Sequence, residues 1–277
     1  MKNKIFELFK VCSIFLLLQF LTLFLIPEIF MYTAGVDETI KQVTTMSNIS
    51  QCIMVFIGYY FVKNNENTSA QNTEKKYMIF LYIIGICASL GLAIFNHIYY
   101  DGVDLVSISI TNDGTKVHQL YHYDNYKTIL LYLITYAIIP AVCEEVFYRK
   151  MIESRLNKYF STMSIIVISG IFFSIAHFSS IKLFPTFIFG ILLMFCYTRY
   201  KRLSLCVVIH FMYNIVDILI ETVLPLSSNS IYISEKYTSA KEAMLDGIRY
   251  ISIGILLSVL VVYFFISVVC KSIKKSN

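Results

Sequence analysis

Charge is what this sequence has least of. Only 15% of its 277 residues are Asp, Glu, Lys or Arg, while 57% are apolar. A soluble domain carries about a quarter of its residues as charges to cover its surface, so a soluble globular fold is excluded. The net charge is only +5 and no basic stripe stands outside the loops, so no nucleic-acid partner is expected. The seven cysteines include no CxxC pair, are odd in number, and lie in or at the ends of apolar blocks. They read as small hydrophobes rather than as a disulfide framework or a zinc motif. A signal-cleavage pattern is also missing. Val11–Ile26 is long for a signal core, and no small-x-small site follows it, so it reads as a retained first span. No internal repeat is present.

What the chain does have is a series of apolar blocks, at 8–26, 48–63, 77–98, 127–147, 162–178, 183–198, 203–224 and 250–270. A helix needs about 20 apolar residues to cross a bilayer, with some latitude for tilt. The blocks therefore predict an all-α membrane protein, a polytopic bundle of about eight transmembrane helices. With the N-terminus cytoplasmic, sixteen of the 23 Lys and Arg residues fall on inside segments and seven outside. That bias follows the positive-inside rule and predicts that both termini are cytoplasmic. Two outside segments are long. Residues 99–126 place Val106–Ile110 and Lys116–Leu120 on either side of Asn112-Asp113-Gly114, which predicts a small β-hairpin. Residues 225–249 read as a polar loop with room for a short helix. His118 and His122 would lie about 13 Å apart on a strand, too far for one metal.

Ionisable residues deep in a membrane span are expensive, and function is the default explanation for them. The fourth block ends with Glu144 and Glu145. The bland reading is a helix end capped at the interface. Glu145 and Arg149 are i and i+4, so they share a helix face and can pair. Glu144 points about 100° away, with no basic residue at i+3 or i+4. His177 closes the fifth block. His210 and Asn214, again i and i+4, share a face of the seventh. A lone His is more often structural than catalytic, but this set gains weight with each member.

If the fourth and fifth blocks form a hairpin turning near 158–161, Glu144 and His177 lie at one level. The fourth helix must then run roughly 25 Å past Glu144, with Lys150, Glu153, Arg155 and Lys158 as its wet end. His210 reaches that level only if the Tyr200–Arg202 turn sits deep. A carboxylate beside an imidazole can take a proton from water, and a His–Asn pair offers donors to an oxyanion. Cys143, adjacent to Glu144, points elsewhere on the helix and is a poor nucleophile candidate.

Glu144-Glu145-xxx-Arg149, Phe173-xxx-His177 and His210-xxx-Asn214, in that order, resemble the three motifs of the type II CAAX prenyl endopeptidases and their bacterial relatives, the CAAX protease and bacteriocin-processing family. The resemblance covers about residues 127–220, the four-helix core of that family. It implies an intramembrane glutamate peptidase with a cavity open to the cytosol. Glu144 would activate water with help from His177, His210 and Asn214 would stabilise the oxyanion, and Glu145 and Arg149 would hold the site in shape. No cofactor is implied, and metal is expected to be absent. A zinc-dependent version is the chemical alternative, since two His and two Glu could ligate zinc.

The organisation expected is then 1–126 for three N-terminal spans and an outer loop, 127–224 for the catalytic core, and 225–277 for an outer loop and the last span. The partners expected are membrane lipid and a peptide or lipidated protein substrate. A Lys-, Asn- and Ile-rich chain with compact loops leans toward a bacterial plasma membrane. A non-catalytic bacteriocin-immunity or scaffold protein is the alternative from another class. A proton-coupled transporter is disfavoured, because no paired halves with matching helix breaks are present.

Overall fold

The computed structural model describes residues 75–111, 133–177, 179–223, 237 and 239–274, together with Phe6, Phe9, Lys10, Ser13, Leu17 and Leu130. Nearly all of the first two apolar blocks, and the segment containing Asn112-Asp113-Gly114, His118 and His122, lie outside the described residues. Every regular element among the described residues is helical. Among the described residues, four helices are long and apolar enough to cross a membrane, through Tyr77–Ile110, Leu183–Tyr200, Leu203–Ile220 and Ala240–Lys271, and Thr162–Ile175 is a shorter apolar helix.

The first helix, α1 (Lys75–Thr111), has 37 residues, about 55 Å at 1.5 Å per residue. It continues well past the apolar block at 77–98. Val106–Ile110 is therefore helical, and the expected β-hairpin is corrected there. The reason is tertiary. The last helix (Ala240–Lys274) likewise begins ten residues before its expected start, and the two extensions pack together. A Cβ on Gly102 would lie 2.6 Å from the Gly247 carbonyl oxygen, and one on Gly247 2.8 Å from that of Gly102. Only glycines permit backbones to meet so closely. Leu105, Tyr237 and Ala243 form a small buried cluster beside the crossing. Such packing outweighs the strand-like alternation of a five-residue run.

The helix carrying the glutamates is built from a π-helical stretch (Leu133–Ile138), α2 (Ile139–Glu145), a second π-helical stretch (Val146–Ile152) and α3 (Glu153–Leu156). Its junctions stay helical, with φ/ψ of −74°/−56° at Ile138, −59°/−46° at Val146 and −60°/−48° at Glu153. The four pieces thus form one rod, with the glutamates where α gives way to π. Interruptions of this kind cluster at functional sites. The chain turns at 157–161, where the hairpin arithmetic placed it. Ser161 then caps α4 (Thr162–Ile175) by accepting a hydrogen bond from the Ser164 amide.

After α4 come α5 (Leu183–Tyr200), α6 (Leu203–Val223) and α7 (Ala240–Lys274). Only Lys201 and Arg202 separate α5 from α6, and Lys201 adopts left-handed φ 51° and ψ 29°. One apolar core, containing Leu81, Phe147, Phe173, Phe189, Ile209 and Phe265, joins α1, the glutamate helix and α4 to α7.

The wet end expected for the glutamate helix begins later than the charges suggest. Glu153 is buried and accepts a hydrogen bond from Lys201 Nζ. Exposure starts at Asn157 and Lys158.

Candidate active site

Glu145 is fully buried, and both of its oxygens are engaged. Arg149 Nε donates to Oε2 at 2.7 Å and Nη2 to Oε1 at 3.3 Å. His210 Nδ1 lies 2.9 Å from Oε1. Arg149, equally buried, spends Nη1 on Ser169 Oγ of α4 at 2.9 Å. Its guanidinium carbon stands 5.8 Å from the Tyr148 ring centroid and 5.5 Å from that of Phe173. A guanidinium suits this place because its planar fork serves a carboxylate, a hydroxyl and aromatic faces at once.

One side-chain bond and the spacing around it set the depth of His210. Glu153 is bonded to Lys201 in the α5–α6 turn. Counting back eight residues along the glutamate helix reaches Glu145, and counting on nine from Lys201 reaches His210. At 1.5 Å per residue these are nearly equal rises. The two pairs are thus successive rungs between the same helices, and the lower rung holds the turn deep enough for the upper one.

Phe173 is the shared wall of the site. The His177 ring lies 5.0 Å from it, the His210 ring 5.7 Å and Tyr148 5.0 Å. Phe189 closes the other side, 5.3 Å edge-on from His210 and stacked on Tyr213 at 4.2 Å. His177 sits just past the end of α4, with Nδ1 2.7 Å from the Phe173 carbonyl oxygen. A carbonyl only accepts, so that nitrogen carries the proton and Nε2 presents its lone pair. The Arg149-bonded carboxylate of Glu145 likewise acts as acceptor toward His210 Nδ1. The Nε2 of His210 then donates only when the ring is doubly protonated.

Of the residues singled out in the sequence, the structure gathers Glu145, Arg149 and His210 into one hydrogen-bonded network. Glu144 is partly buried and within electrostatic reach of all three. His177 is within reach of His210, Lys182 and Asp217. Asn214 is half-buried on α6, one turn beyond His210, and makes no hydrogen bond among the described residues. Both Glu145 oxygens are committed to Arg149 and His210, so this carboxylate is not a free metal ligand, and no three His, Cys, Asp or Glu converge on a metal position among the described residues.

Several supporting residues escape the sequence reading. Ser169 was within reach of it, because 169, 173 and 177 repeat at four-residue spacing along one helix face. Asn96 and His97 were marked only by being polar inside an apolar block. Asn96 Nδ2 donates to the Tyr213 hydroxyl at 2.7 Å, and Ser258 Oγ donates to Asn96 Oδ1 at 3.2 Å. These bonds brace α6 against α1 and α7. Phe189 and Tyr213 carry no sequence signal that separates them from other core aromatics.

No curated protein and no solved structure matches the chain. A family model does match, over residues 126–216, a stretch holding every residue of the Glu145 network and both Glu144 and His177. Its description is Type II CAAX prenyl endopeptidase Rce1-like, so this integral membrane chain is similar to that protease family over those residues.

Proposed function

We propose that the chain is an intramembrane endopeptidase that hydrolyses a peptide bond in a membrane-associated or lipidated protein, using water rather than a covalent nucleophile. The observation that carries this reading is the clamp on Glu145. Held between Arg149 and His210, that residue fixes the helix that also carries the adjacent carboxylate, Glu144, which lies within electrostatic reach of His210. Glu144 takes a proton as the water oxygen bonds to the carbonyl carbon, with Nε2 of His177 accepting a hydrogen bond from the same water. The oxyanion is held by the doubly protonated His210 ring through Nε2–H and by the Asn214 amide. Glu144 then returns the proton to the departing amine as the C–N bond breaks. Glu145 and Arg149 act by position. The same reading has a cavity open to the cytosol, eight spans and a bacterial plasma membrane as its setting.

The test compares membranes containing wild-type, Glu144→Gln or His177→Ala protein by peptidomics. Loss of a proton acceptor is expected to slow cleavage by at least about 100-fold, so a precursor should accumulate in both variants while protein levels stay equal. A scaffold or immunity protein would tolerate Glu144→Gln, which preserves shape. Unchanged processing by that variant would sink the peptidase reading.

A further inference from the structure

A chain of side-chain contacts runs from α7 through α1 to the candidate active site. Asn96 of α1 is 1% exposed, and both ends of its amide are engaged. Nδ2 donates to the Tyr213 hydroxyl of α6 at 2.7 Å, and Oδ1 accepts from Ser258 Oγ of α7 at 3.2 Å. Bonds to two different helices thus fix the plane of the amide. The Tyr213 ring stacks on Phe189 at 4.2 Å with 24° between the planes. Phe189 in turn stands edge-on to the His210 ring, at 5.3 Å and 83°. Phe189, Tyr213 and His210 lie inside the matched stretch at 126–216, whereas Asn96 and Ser258 lie outside it.

We propose that Asn96 is a positioning residue for the reaction, anchoring the Tyr213 hydroxyl and, through the Tyr213–Phe189 stack, fixing the plane of the His210 ring. The proposal rests on the peptidase reading above, in which His210 Nε2 faces the oxyanion. Two observations support it.

The first is that α1 and α6 have other ties. Tyr82 and Ser204 join the same two helices at 2.9 Å, and His97 Nε2 lies 3.0 Å from Asp217 Oδ1 just beyond Asn96. The register of the pair does not depend on Asn96. A hydrogen bond between spans adds little stability, and burying an amide is costly if either end loses its partner. Bracing alone does not account for this residue.

The second is how the His210 ring is held. Its bond to Glu145 fixes Nδ1, and a ring fixed at one atom can still swing about it. Phe173 at 5.7 Å and Phe189 at 5.3 Å limit that swing. Phe173 is backed by Tyr148 and the Arg149 guanidinium. Phe189 is backed by Tyr213, whose far end Asn96 holds. In a close-packed interior a shift of one ring passes to the next, so freeing the Tyr213 hydroxyl re-aims Nε2.

The experiment uses the full-length protein in detergent with labelled histidine, the His210 ring signals being assigned by their loss in His210→Gln. Asn96→Leu and Tyr213→Phe should each move those signals, because the field of the Phe189 ring at His210 depends on its geometry. Each should lower kcat by about tenfold, as a small misplacement of a donor does, while KM changes less than about threefold. The double variant removes both ends of one bond, so its stability should stay close to that of wild type. Its kcat loss should be about that of the larger single change rather than the product. Tyr82→Phe, which removes a different α1–α6 bond, should change neither kcat nor the His210 signals. Unmoved His210 signals in Asn96→Leu, full kcat in the double variant, or an equal kcat loss in Tyr82→Phe would overturn the proposal. The signals are read without substrate, so their outcome is separate from a failure to find peptidase activity.

Discussion

Arg149 shows how much one buried side chain organises. It neutralises Glu145, reaches Ser169 on the neighbouring helix and lies against Tyr148 and Phe173. Replacing it by Met keeps the volume but leaves the Glu145 carboxylate buried with only His210 beside it. Breaking a buried pair from one side costs about 3–5 kcal/mol. Arg149→Met is therefore expected to lower the unfolding temperature sharply, followed by circular dichroism in detergent. A variant as stable as wild type would mean that the network is not what holds the rod against α4. The Glu145–Arg149 half of this network was legible, because i and i+4 on a helix are neighbours whatever the tertiary fold. The His210 contact was not, since it joins residues 65 positions apart.

At the level of elements, the α5–α6 turn is the feature that places the chemistry. Lys201 ends α5 in a left-handed conformation and sends its ammonium to Glu153. The charges at 150–158 looked like a solvated helix end, but Glu153 serves as the lower rung beneath Glu145 and His210. Glu153→Ala should loosen the register of α6 against the glutamate helix. Displacement of a catalytic group by about 1 Å can cost on the order of 100-fold in rate, so kcat/KM is expected to fall by about tenfold or more. Assay of inserted, folded Glu153→Ala checks this, and an unchanged kcat/KM would show that the lower rung does not set the depth of His210. The α1–α7 pair teaches the converse. Alternation in Val106–Ile110 suggested strand, but a glycine crossing at 102 and 247 lets two long helices continue together.

For the whole molecule, the distribution of Lys and Arg supports the proposed orientation. With both termini cytosolic, as proposed, the turn at 157–161 would face inward and the start of α7 outward. In a cysteine-free background, Lys241→Cys, exposed at the start of α7, should react with an impermeant maleimide on intact cells, and Lys158→Cys should react only after permeabilisation. The reverse pattern would invert the topology and move the opening of the site to the other side of the membrane. The low charge content and block lengths made the membrane class readable, because transfer of apolar helices into lipid depends on composition and length alone.

The sequence by itself determined the membrane setting, the order of the helices in the core and the three motifs, because these rest on local composition and on helical spacing of three and four residues. Only the tertiary structure decided that His210 reaches Glu145, that Phe173 walls both histidines, that Glu153 is buried under Lys201, and that His97 meets Asp217. Each of these joins distant helices, and their relative depth is set by side chains meeting across an interface, a relation that no spacing along one chain segment contains.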